Sequence, residues 1–527
     1  MITKTIQQTL ALILLGSIVL FGCKKNEVET AMGGKMHKSL EAPQSDDEII
    51  LGDSIDDPYR IDNMRAAYDL LVNEGVTPPI SSIEPNYRYV KVLPDDEEGL
   101  DNLEADTNLL LFDFPLHYEI VVNGVYYHDP TVLDSALNWF YAVVPSDYVF
   151  PTGNTVEDIY EVFIPEENTD FFNQLETKSY LLTGNLTDEE DISVDLAGSQ
   201  QGNTRFIPSA TIQVYDDVVG DYIPVQGAKV TARYCTKTAS GITDASGHCS
   251  INKNFKYSVT YAVKWERAYW DIRKGALGQA YYNGPKTQNS WNLDISTGIS
   301  SVIAITHCAA FKFYYGNCLG LRRPILNTGK TKIACYNQSF SWGTGCCWGT
   351  WSLLGVAPDI IVATSGDSTH YIFGTAIHEL AHQSHLLYMG LSTYIQLAKE
   401  IHESWASAVE WKLTNHYYRN DLGCIGFDYR LNLQKWHPGT KPGGKTDCYT
   451  PLFIDLMDDL NQRNNSSLYP NDMIFGYTLQ YIQNNILSTT YGLTSFRTAL
   501  KNHKINGTTD AQVDSLMALY WGQIYVR

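Results

Sequence analysis

The chain has 527 residues, of which 59 are acidic and 38 are basic, giving a formal net charge of −21. This length suits about three domains, and the acidic balance excludes a nucleic-acid-binding protein, which needs a basic face. A hydrophobic content of 44% excludes a largely disordered chain. The charge is uneven, because residues 24–205 hold 37 acids and 10 bases whereas residues 206–527 hold 22 acids and 27 bases. We therefore expect an acidic front unit followed by a nearly neutral remainder.

The first residues have a pattern typical of a bacterial export signal. Lys4 supplies a positive charge, and residues 10–21 form an apolar stretch that is too short for a membrane span of about 20 residues. The run Leu20-Phe21-Gly22-Cys23 resembles the lipobox of bacterial lipoproteins, which implies cleavage before Cys23 and lipidation of that cysteine. We therefore predict a signal peptide over residues 1–22.

The residues that follow indicate how the protein is held at the membrane. Lys24-Lys25-Asn26-Glu27-Val28-Glu29 is similar to a charged tag that directs some Gram-negative lipoproteins to the outer cell surface. Residues 23–57 are polar and have no apolar periodicity, so we expect a flexible tether. The predicted protein is exported and lipid-anchored to the outer membrane, with its body at the cell surface.

Ten cysteines are present, one of which is Cys23. Export to an oxidising compartment favours disulfides among the other nine, and the odd number leaves at least one thiol free. Cys235 with Cys249 and Cys424 with Cys448 are plausible local pairs, but the sequence leaves the connectivity open. No C-x-x-C pair occurs, which argues against a zinc finger.

Residues 58–205 are predicted to form an acidic domain of mixed helices and strands. A helical pattern covers Asn63–Val72, and a strand pattern covers Tyr87–Val92. Asn123-Gly124 separates two apolar, aromatic runs, which predicts a β-hairpin across this turn. The domain has no residues at a catalytic spacing.

Residues 206–275 change to short alternating strands separated by turns, a pattern that predicts a small β-sandwich. Val225-Gln226-Gly227-Ala228-Lys229-Val230, followed by the turn Thr243-Asp244-Ala245-Ser246-Gly247, resembles the carboxypeptidase regulatory-like (transthyretin-like) domain. The resemblance implies an accessory module rather than an active site.

Residues 276–527 are predicted to be mainly helical, which makes the whole chain a multidomain α+β protein. Helical periodicity covers residues 299–315, 369–388 and 393–413, and residues 359–364 form a strand pattern just before the second helix.

The most informative motif is His378-Glu379-Leu380-Ala381-His382 within the second of these helices. Histidines four residues apart share one helical face, so both imidazoles can bind one metal ion. Glu379 can then act as a general base towards a water molecule that zinc activates. The H-E-x-x-H pattern therefore indicates a zinc hydrolase, with an isolated pair of core histidines as the alternative.

A catalytic zinc usually takes a third protein ligand. His385 lies seven residues after His378, about 10 Å along the helix, which is too far for one ion. It also stands where the metzincin pattern has glycine, which disfavours that family. Glu403 follows His382 by 21 residues on a helical stretch that can pack beside the first helix. Glu400 remains an alternative if the intervening turn is shorter.

The run Glu403-Ser404-Trp405-Ala406-Ser407-Ala408-Val409-Glu410-Trp411 is similar to that of gluzincin peptidases. The resemblance implies a zincin-like C-terminal domain with Zn²⁺ bound by His378, His382 and Glu403, and Glu379 as general base. It also implies that the strand at residues 359–364 is a sheet edge, which in metallopeptidases binds the substrate backbone by strand addition. Some gluzincins orient a ligand histidine with an Asp where this chain has Ser407. Glu410 is interpreted as structural.

Peptidases of this type also need a donor to the oxyanion. Tyr477 is our choice, with Tyr481 and His437 also available. The sequence thus favours a surface zinc metallopeptidase that hydrolyses peptide or glycopeptide bonds in an extracellular protein or glycoprotein. The alternative is a non-catalytic adhesin or glycan-binding lipoprotein that keeps a peptidase-like fold.

Overall fold

A computed structural model describes residues 48–132, 137–186, 205–274, 278–327, 329–338, 345–346, 358–364, 366–429, 450–464 and 471–521. The predicted signal peptide, Cys23, His437 and Cys448 lie outside these ranges. Within them, every helix is too short or too polar to span a bilayer. The fold mixes α and β structure in several sheets and more than one domain.

The elements follow one another in a mixed order along the chain. The strands are β1 Ile50–Ser54, β2 Tyr87–Pro94, β3 Tyr118–Val122, β4 Phe140–Pro145, β5 Asn154–Val162, β6 Ser209–Asp216, β7 Asp221–Pro224, β8 Lys229–Tyr234, β9 Lys237–Ile242, β10 His248–Ser250, β11 Val259–Lys264, β12 Trp270–Lys274, β13 Gly278–Gln279, β14 Tyr281–Thr287, β15 Trp291–Ile295, β16 Thr331–Tyr336, β17 Gly345–Cys346 and β18 Ile360–Ala363. The α-helices are α1 Ile61–Asn73, α2 Glu97–Ala105, α3 Asp170–Leu182, α4 Gly298–Tyr314, α5 Thr369–Met389, α6 Leu391–Tyr394, α7 Lys399–His416, α8 Leu452–Met457, α9 Leu479–Tyr481, α10 Leu493–Asn502 and α11 Asp510–Trp521. Short π and 3-10 turns cover Tyr417–Asp421, Gln462–Asn464, Ile482–Ile486 and Leu487–Thr489.

The acidic front unit contains an antiparallel sheet in the order β4-β2-β5 and a separate pair, β1-β3. The predicted helix and strand are present as α1 and β2. The predicted hairpin across Asn123-Gly124 is wrong, because β3 pairs with β1 rather than with the residues after the turn. The predicted tether also ends too late, since β1 lies inside residues 23–57 and completes this pair.

Two four-stranded sheets follow, and their inward-facing residues share one core. One has the order β10-β6-β15, with β7 also paired to β6, and the other has the order β14-β11-β8-β9. Alternate residues of β6, such as Ile212 and Val214, are buried, which is the expected pattern for a sheet with one covered face. The predicted domain boundary at residue 275 does not match the strand pairing. β14 and β15 lie after residue 275 but belong to these two sheets, whereas β12 lies before it and belongs to another sheet.

A five-stranded sheet with the order β13-β12-β16-β18-β17 supports the helices of the back half. Its three central strands are parallel, and the two edge strands are antiparallel to their neighbours. The strand predicted before the helix of the H-E-x-x-H motif is present as β18, but it is not an edge. β17 pairs with it and forms the edge instead. Helix α5 packs against both α4 and α7.

The acidic unit is anchored to the rest of the chain by buried ion pairs. Glu176 of α3 is fully buried between Lys237, 2.8 Å away, and Arg205, also 2.8 Å away. Glu97 of α2 contacts Lys332 of β16. The core of the front unit also includes Tyr234 of β8, in the second of the two four-stranded sheets. Glu176 and Glu97 of the acidic unit therefore pair with Lys237 and Lys332 of the adjoining sheets.

The structure does not contain the predicted pair Cys235–Cys249, because both residues are free, buried thiols. Cys235 lies after β8 and belongs to the core of the front unit, whereas Cys249 lies in β10 and belongs to the core of the two sheets. Because the two cysteines belong to different hydrophobic cores, they do not form a disulfide. Cys424 is also a free thiol, and Cys448 lies outside the described residues.

Candidate metal centre

Helix α5 presents the two histidines of the motif, and its sequence explains why it is buried. Its residues from Ile372 to Leu386 are covered by neighbouring elements, which suits a helix that is apolar on most of its faces. Gly390 ends the helix with a φ of +78°, a conformation that glycine adopts without strain. The predicted continuous helix over 393–413 is instead divided into α6 and α7, and this break brings α7 back beside α5.

The start of α5 is capped by a residue from the front of the two-sheet unit. The side chain of Ser368, at the N-cap position, makes no capping hydrogen bond. Instead, the Thr369 backbone N–H donates to Oδ1 of Asp217 over 3.1 Å, and the Thr369 hydroxyl donates to the same carboxylate. Carboxylates at this end of a helix also interact favourably with its dipole. Asp217 therefore fixes the helix that carries the motif.

The structure brings together the three predicted ligands, His378, His382 and Glu403. The two Nε2 atoms are 3.1 Å apart, and each lies 3.4 Å from Oε2 of Glu403. Two ligand atoms of a tetrahedral zinc ion, at about 2.05 Å from it, are separated by about 3.3 Å. The three atoms thus have the spacing that a zinc ion requires. Glu400 is outside this group of converging ligand atoms.

The protonation of His378 is set by a buried carboxylate. Its Nδ1 atom lies 2.9 Å from Oε2 of Glu410, and the other oxygen of Glu410 accepts a 2.6 Å hydrogen bond from the Tyr429 hydroxyl. Since a carboxylate only accepts, Nδ1 of His378 carries the proton and its Nε2 keeps the lone pair. Such a second carboxylate is typical of metal-binding histidines.

The second histidine is oriented by a tyrosine. Nδ1 of His382 lies 3.1 Å from the hydroxyl oxygen of Tyr394, which can accept its proton. Nε2 of His382 then also presents a lone pair, next to that of His378 and to the Glu403 carboxylate. Three electron-rich atoms within 3.4 Å of one another repel unless a cation lies among them. The donor set therefore fits a zinc ion.

Burial and charge around Glu403 favour its ionised form. Burial alone raises the pKa of a carboxyl group, but in the metal-free site, where His382 and His378 can hold protons on Nε2 and donate them to the carboxylate, these neighbours keep the pKa of Glu403 well below its usual range. The Glu403 residue is only 4% exposed. Glu403 is therefore available as an anionic ligand.

Gly374, one turn before His378, makes room for the carboxylate that orients this histidine. A Cβ atom at Gly374 would lie 2.3 Å from the Tyr429 oxygen and 3.2 Å from Oε1 of Glu410. Real Cβ atoms do not approach other atoms so closely. The glycine is thus required by close packing and not by an unusual backbone conformation.

The remaining predicted residues fall in different places. Glu379 lies next to His378 on α5 and is fully buried. His385 is also fully buried, and its ring packs near Tyr394 and Trp405 rather than joining the ligands. The Tyr477 hydroxyl donates to the His503 carbonyl oxygen over 3.4 Å, and Tyr477 makes no hydrogen bond or ring contact with the cluster among the described residues. Among the described residues no contact links Tyr477 to the ligands, and its role as oxyanion donor stays a prediction.

The sequence did not identify Glu410 as the partner of His378 and drew attention only to Ser407, which stands where some gluzincins have the orienting Asp. Ser407 is buried but does not hold the histidine, whereas Glu410 does so from one turn further along α7. A spacing of seven residues puts Glu403 and Glu410 on the same helical face, and this was the available signal. Tyr429 and Asp217 come from distant parts of the chain and left no such signal.

A second group of carboxylates, Asp455, Asp458 and Asp472, has oxygen atoms within 4.8 Å of one another. Oxygen-only ligands favour calcium or magnesium over zinc, and we assign this group no function.

No family model, curated protein or solved structure matches the chain significantly. The interpretation of the site therefore rests on its own geometry and chemistry.

Proposed function

We propose that the chain is a zinc-dependent metallopeptidase of the gluzincin type. The observation that carries the proposal is the convergence of the His378, His382 and Glu403 ligand atoms, with the His378 tautomer fixed by Glu410. A pair of ordinary core histidines has no need of a third, anionic residue at 3.4 Å from both. Glu379, next to the first ligand, completes the set of groups that peptide hydrolysis uses.

His378, His382 and Glu403 would hold the zinc ion. Bound there, zinc would supply Lewis-acid chemistry, lowering the pKa of water and polarising a peptide carbonyl. Glu379 takes the proton from the attacking water and delivers it to the leaving amine. Glu410 and Tyr394 keep the two imidazoles in the orientation that exposes Nε2, and the buried surroundings of the cluster strengthen these electrostatic interactions.

We further propose that the enzyme acts outside the cell, where the lipid anchor at Cys23 would hold it to the outer membrane. The support is the lipobox-like run and the short apolar segment before it. The substrate class would then be an extracellular protein or glycoprotein.

The test is the zinc content and the peptidase activity of the wild type and of Glu379→Gln. We expect one zinc per chain in both proteins, with casein cleavage lowered at least 100-fold in the variant because the general base is lost. Glu400→Gln is the matched control, since this residue lies on α7 outside the cluster, and it should cleave normally. A wild type that binds zinc but cleaves nothing would favour the non-catalytic adhesin instead. A wild type without zinc would overturn the metal site itself.

A further inference from the structure

Helix α2 of the front unit turns acidic side chains towards the five-stranded sheet. Glu97, Asp101 and Glu104 follow one another at spacings of four and three residues, which places them on one helical face. Glu97 contacts Lys332 of β16, and a carboxylate oxygen of Glu104 lies 3.6 Å from Nζ of Lys330, the residue before that strand. We call this contact between α2 and the sheet the α2 joint.

The backbone on both sides of the α2 joint is closely packed. A Cβ atom at Gly329 would lie 2.6 Å from Oδ2 of Asp101, so the chain before β16 runs directly against the helix. A Cβ atom at Gly99 of α2 would lie 3.0 Å from the backbone carbonyl carbon of Gly153, which holds the helix against the rest of the front unit. Charged groups in such a contact are shielded from water and act strongly on one another.

Glu104 is a buried carboxyl group of the α2 joint with poor partners. Its side chain is 7% exposed, and its Oε2 atom has no hydrogen-bond partner in the described part of the chain. Lys330 is closer to another carboxylate, because its Nζ atom lies 3.0 Å from Oε2 of Glu266 but 3.6 Å from Oε1 of Glu104. A separation of 3.6 Å is too long for a hydrogen bond. An ionised Glu104 would thus be a buried charge without a hydrogen bond to compensate it, which is costly.

The charged groups around Glu104 contain more acids than bases. The acids are Glu97, Asp101, Asp113, Glu266, Asp271 and Asp359, and the bases are Lys229, Lys264, Arg273, Lys330 and Lys332. Glu266 contacts three of these lysines, at 2.8, 3.2 and 3.0 Å, and Arg273 pairs with Asp271 at 2.8 Å. Most of the positive charge is therefore engaged by other carboxylates, and a proton can neutralise Glu104 instead.

The electrostatics of the joint agree with this geometry. Burial raises the pKa of Glu104 from 4.5 to about 7, Lys330 offsets only part of the rise, and Asp271 and Glu266 add to it. Burial also raises the pKa of Asp101 from 3.8 to about 6. A pKa that is higher in the closed joint than in the open one means that closure takes up a proton. The resulting stabilisation is complete below about pH 4.5 and is lost as the pH rises through about 7. Burial lowers the pKa of Lys332 to about 8, so this lysine titrates above that range.

We propose that the α2 joint is a pH-sensitive contact, which a proton on Glu104 holds closed and which loosens when Glu104 ionises. The sheet on the other side of the joint contains β18, the strand before α5, so the joint connects the acidic front unit to the support of the helix that carries His378 and His382. The contact is then firm in mildly acidic surroundings and looser at neutral and alkaline pH. This inference does not depend on the proposed peptidase function.

The test is the hydrogen exchange of the α2 backbone amides in the full chain, measured by mass spectrometry from about pH 6 to about pH 8 and corrected for the intrinsic exchange rate at each pH. We expect the protection of these amides to fall about tenfold over this range in the wild type. In Glu104→Gln, which keeps the shape of the neutral carboxyl group, the fall should be no more than about twofold, the part that Asp101 contributes. Glu98→Gln is the matched control, because it removes an exposed carboxylate from the same helix, and it should behave like the wild type. Equal falls in the wild type and Glu104→Gln would overturn the inference.

An infrared titration gives a result on the wild type alone, whether or not the variant folds. With ¹³C-labelled glutamate, one carboxyl group should titrate near pH 7, far above the ordinary glutamate value of about 4.3. The same signal should be missing from Glu104→Gln. Absence of any glutamate that titrates above about pH 6 in the folded wild type, or an unchanged signal in the variant, would equally overturn the inference.

Discussion

Replacing Gly374 with alanine tests whether the chain Tyr429–Glu410–His378 controls the metal centre. The new Cβ would lie 2.3 Å from the Tyr429 oxygen and 2.7 Å from the ring carbon that bears it. An ordinary contact of this kind is about 3.4 Å, so Tyr429 has to move by about 1 Å. That movement breaks its 2.6 Å hydrogen bond to Glu410 and disturbs the carboxylate that orients His378.

The substitution has two opposing effects on the stability of the metal-free protein. Alanine is preferred to glycine in a helix by about 1 kcal/mol. Loss of the partner of a buried carboxylate costs about 1–3 kcal/mol. We therefore expect the free energy of unfolding to fall by no more than about 2 kcal/mol, so the variant folds. Zinc affinity should fall about 10- to 100-fold, as for other losses of an outer-shell partner.

Zinc affinity can be measured by competition with a chromogenic chelator, and stability by urea unfolding of the metal-free protein. Tyr429→Phe is the companion variant, because it removes the same hydrogen bond without adding a Cβ at position 374. It should weaken zinc binding in the same direction but by less. If Gly374→Ala bound zinc as tightly as the wild type, Glu410 would not be orienting His378.

Three further predictions concern the supports of the site and of the core. Glu410→Gln should lower zinc affinity about 10- to 100-fold, whereas Ser407→Ala on the same helix should have little effect. If the chelator assay showed a larger loss of zinc affinity for Ser407→Ala than for Glu410→Gln, the assignment of Glu410 would be rejected. Asp217→Ala should lower the free energy of unfolding by about 1 kcal/mol through loss of the cap on α5, and Asp221→Ala on the neighbouring strand is the control. Equal urea midpoints for Asp217→Ala and the wild type would refute the capping role. Burial lowers the pKa of His307 from 6.5 to about 3, so this histidine stays neutral in the folded protein while it protonates in the unfolded chain. Its contribution to stability is complete above pH 6.5 and is lost as the pH falls towards about 3, by about 1.4 kcal/mol per pH unit. His307→Phe should flatten the pH dependence of urea unfolding in this window, and an unchanged slope would contradict the shift.

The grouping of His378, His382 and Glu403 could be predicted from the sequence because their relation is local. A four-residue spacing on one helix fixes His378 and His382 relative to each other, and the structure adds Glu403 as expected from the helix that follows. The residues that orient these side chains were harder to predict from the sequence, because Tyr429 is brought next to Glu410 only by tertiary packing. Only Glu410 left a pattern, as the same-face neighbour of Glu403, and it was interpreted as structural.

Strand pairing shows where local patterns stop being informative. Asn123-Gly124 is a favourable hairpin turn, yet β3 pairs with β1, some 65 residues earlier in the chain. Likewise β18 was recognised as a strand but was wrongly expected to be an edge, since the short β17 that pairs with it has hardly any sequence signal. Pairing depends on which distant apolar faces pack together, and one strand's own sequence does not specify this.

The most direct test of the central claim is the zinc content of Glu403→Ala beside that of Glu400→Ala. After saturation with zinc and gel filtration, the wild type and Glu400→Ala should each retain one zinc per chain, whereas Glu403→Ala should retain none. Circular dichroism confirms that the variants are folded. Stoichiometric zinc in folded Glu403→Ala would show that His378, His382 and Glu403 do not form the site.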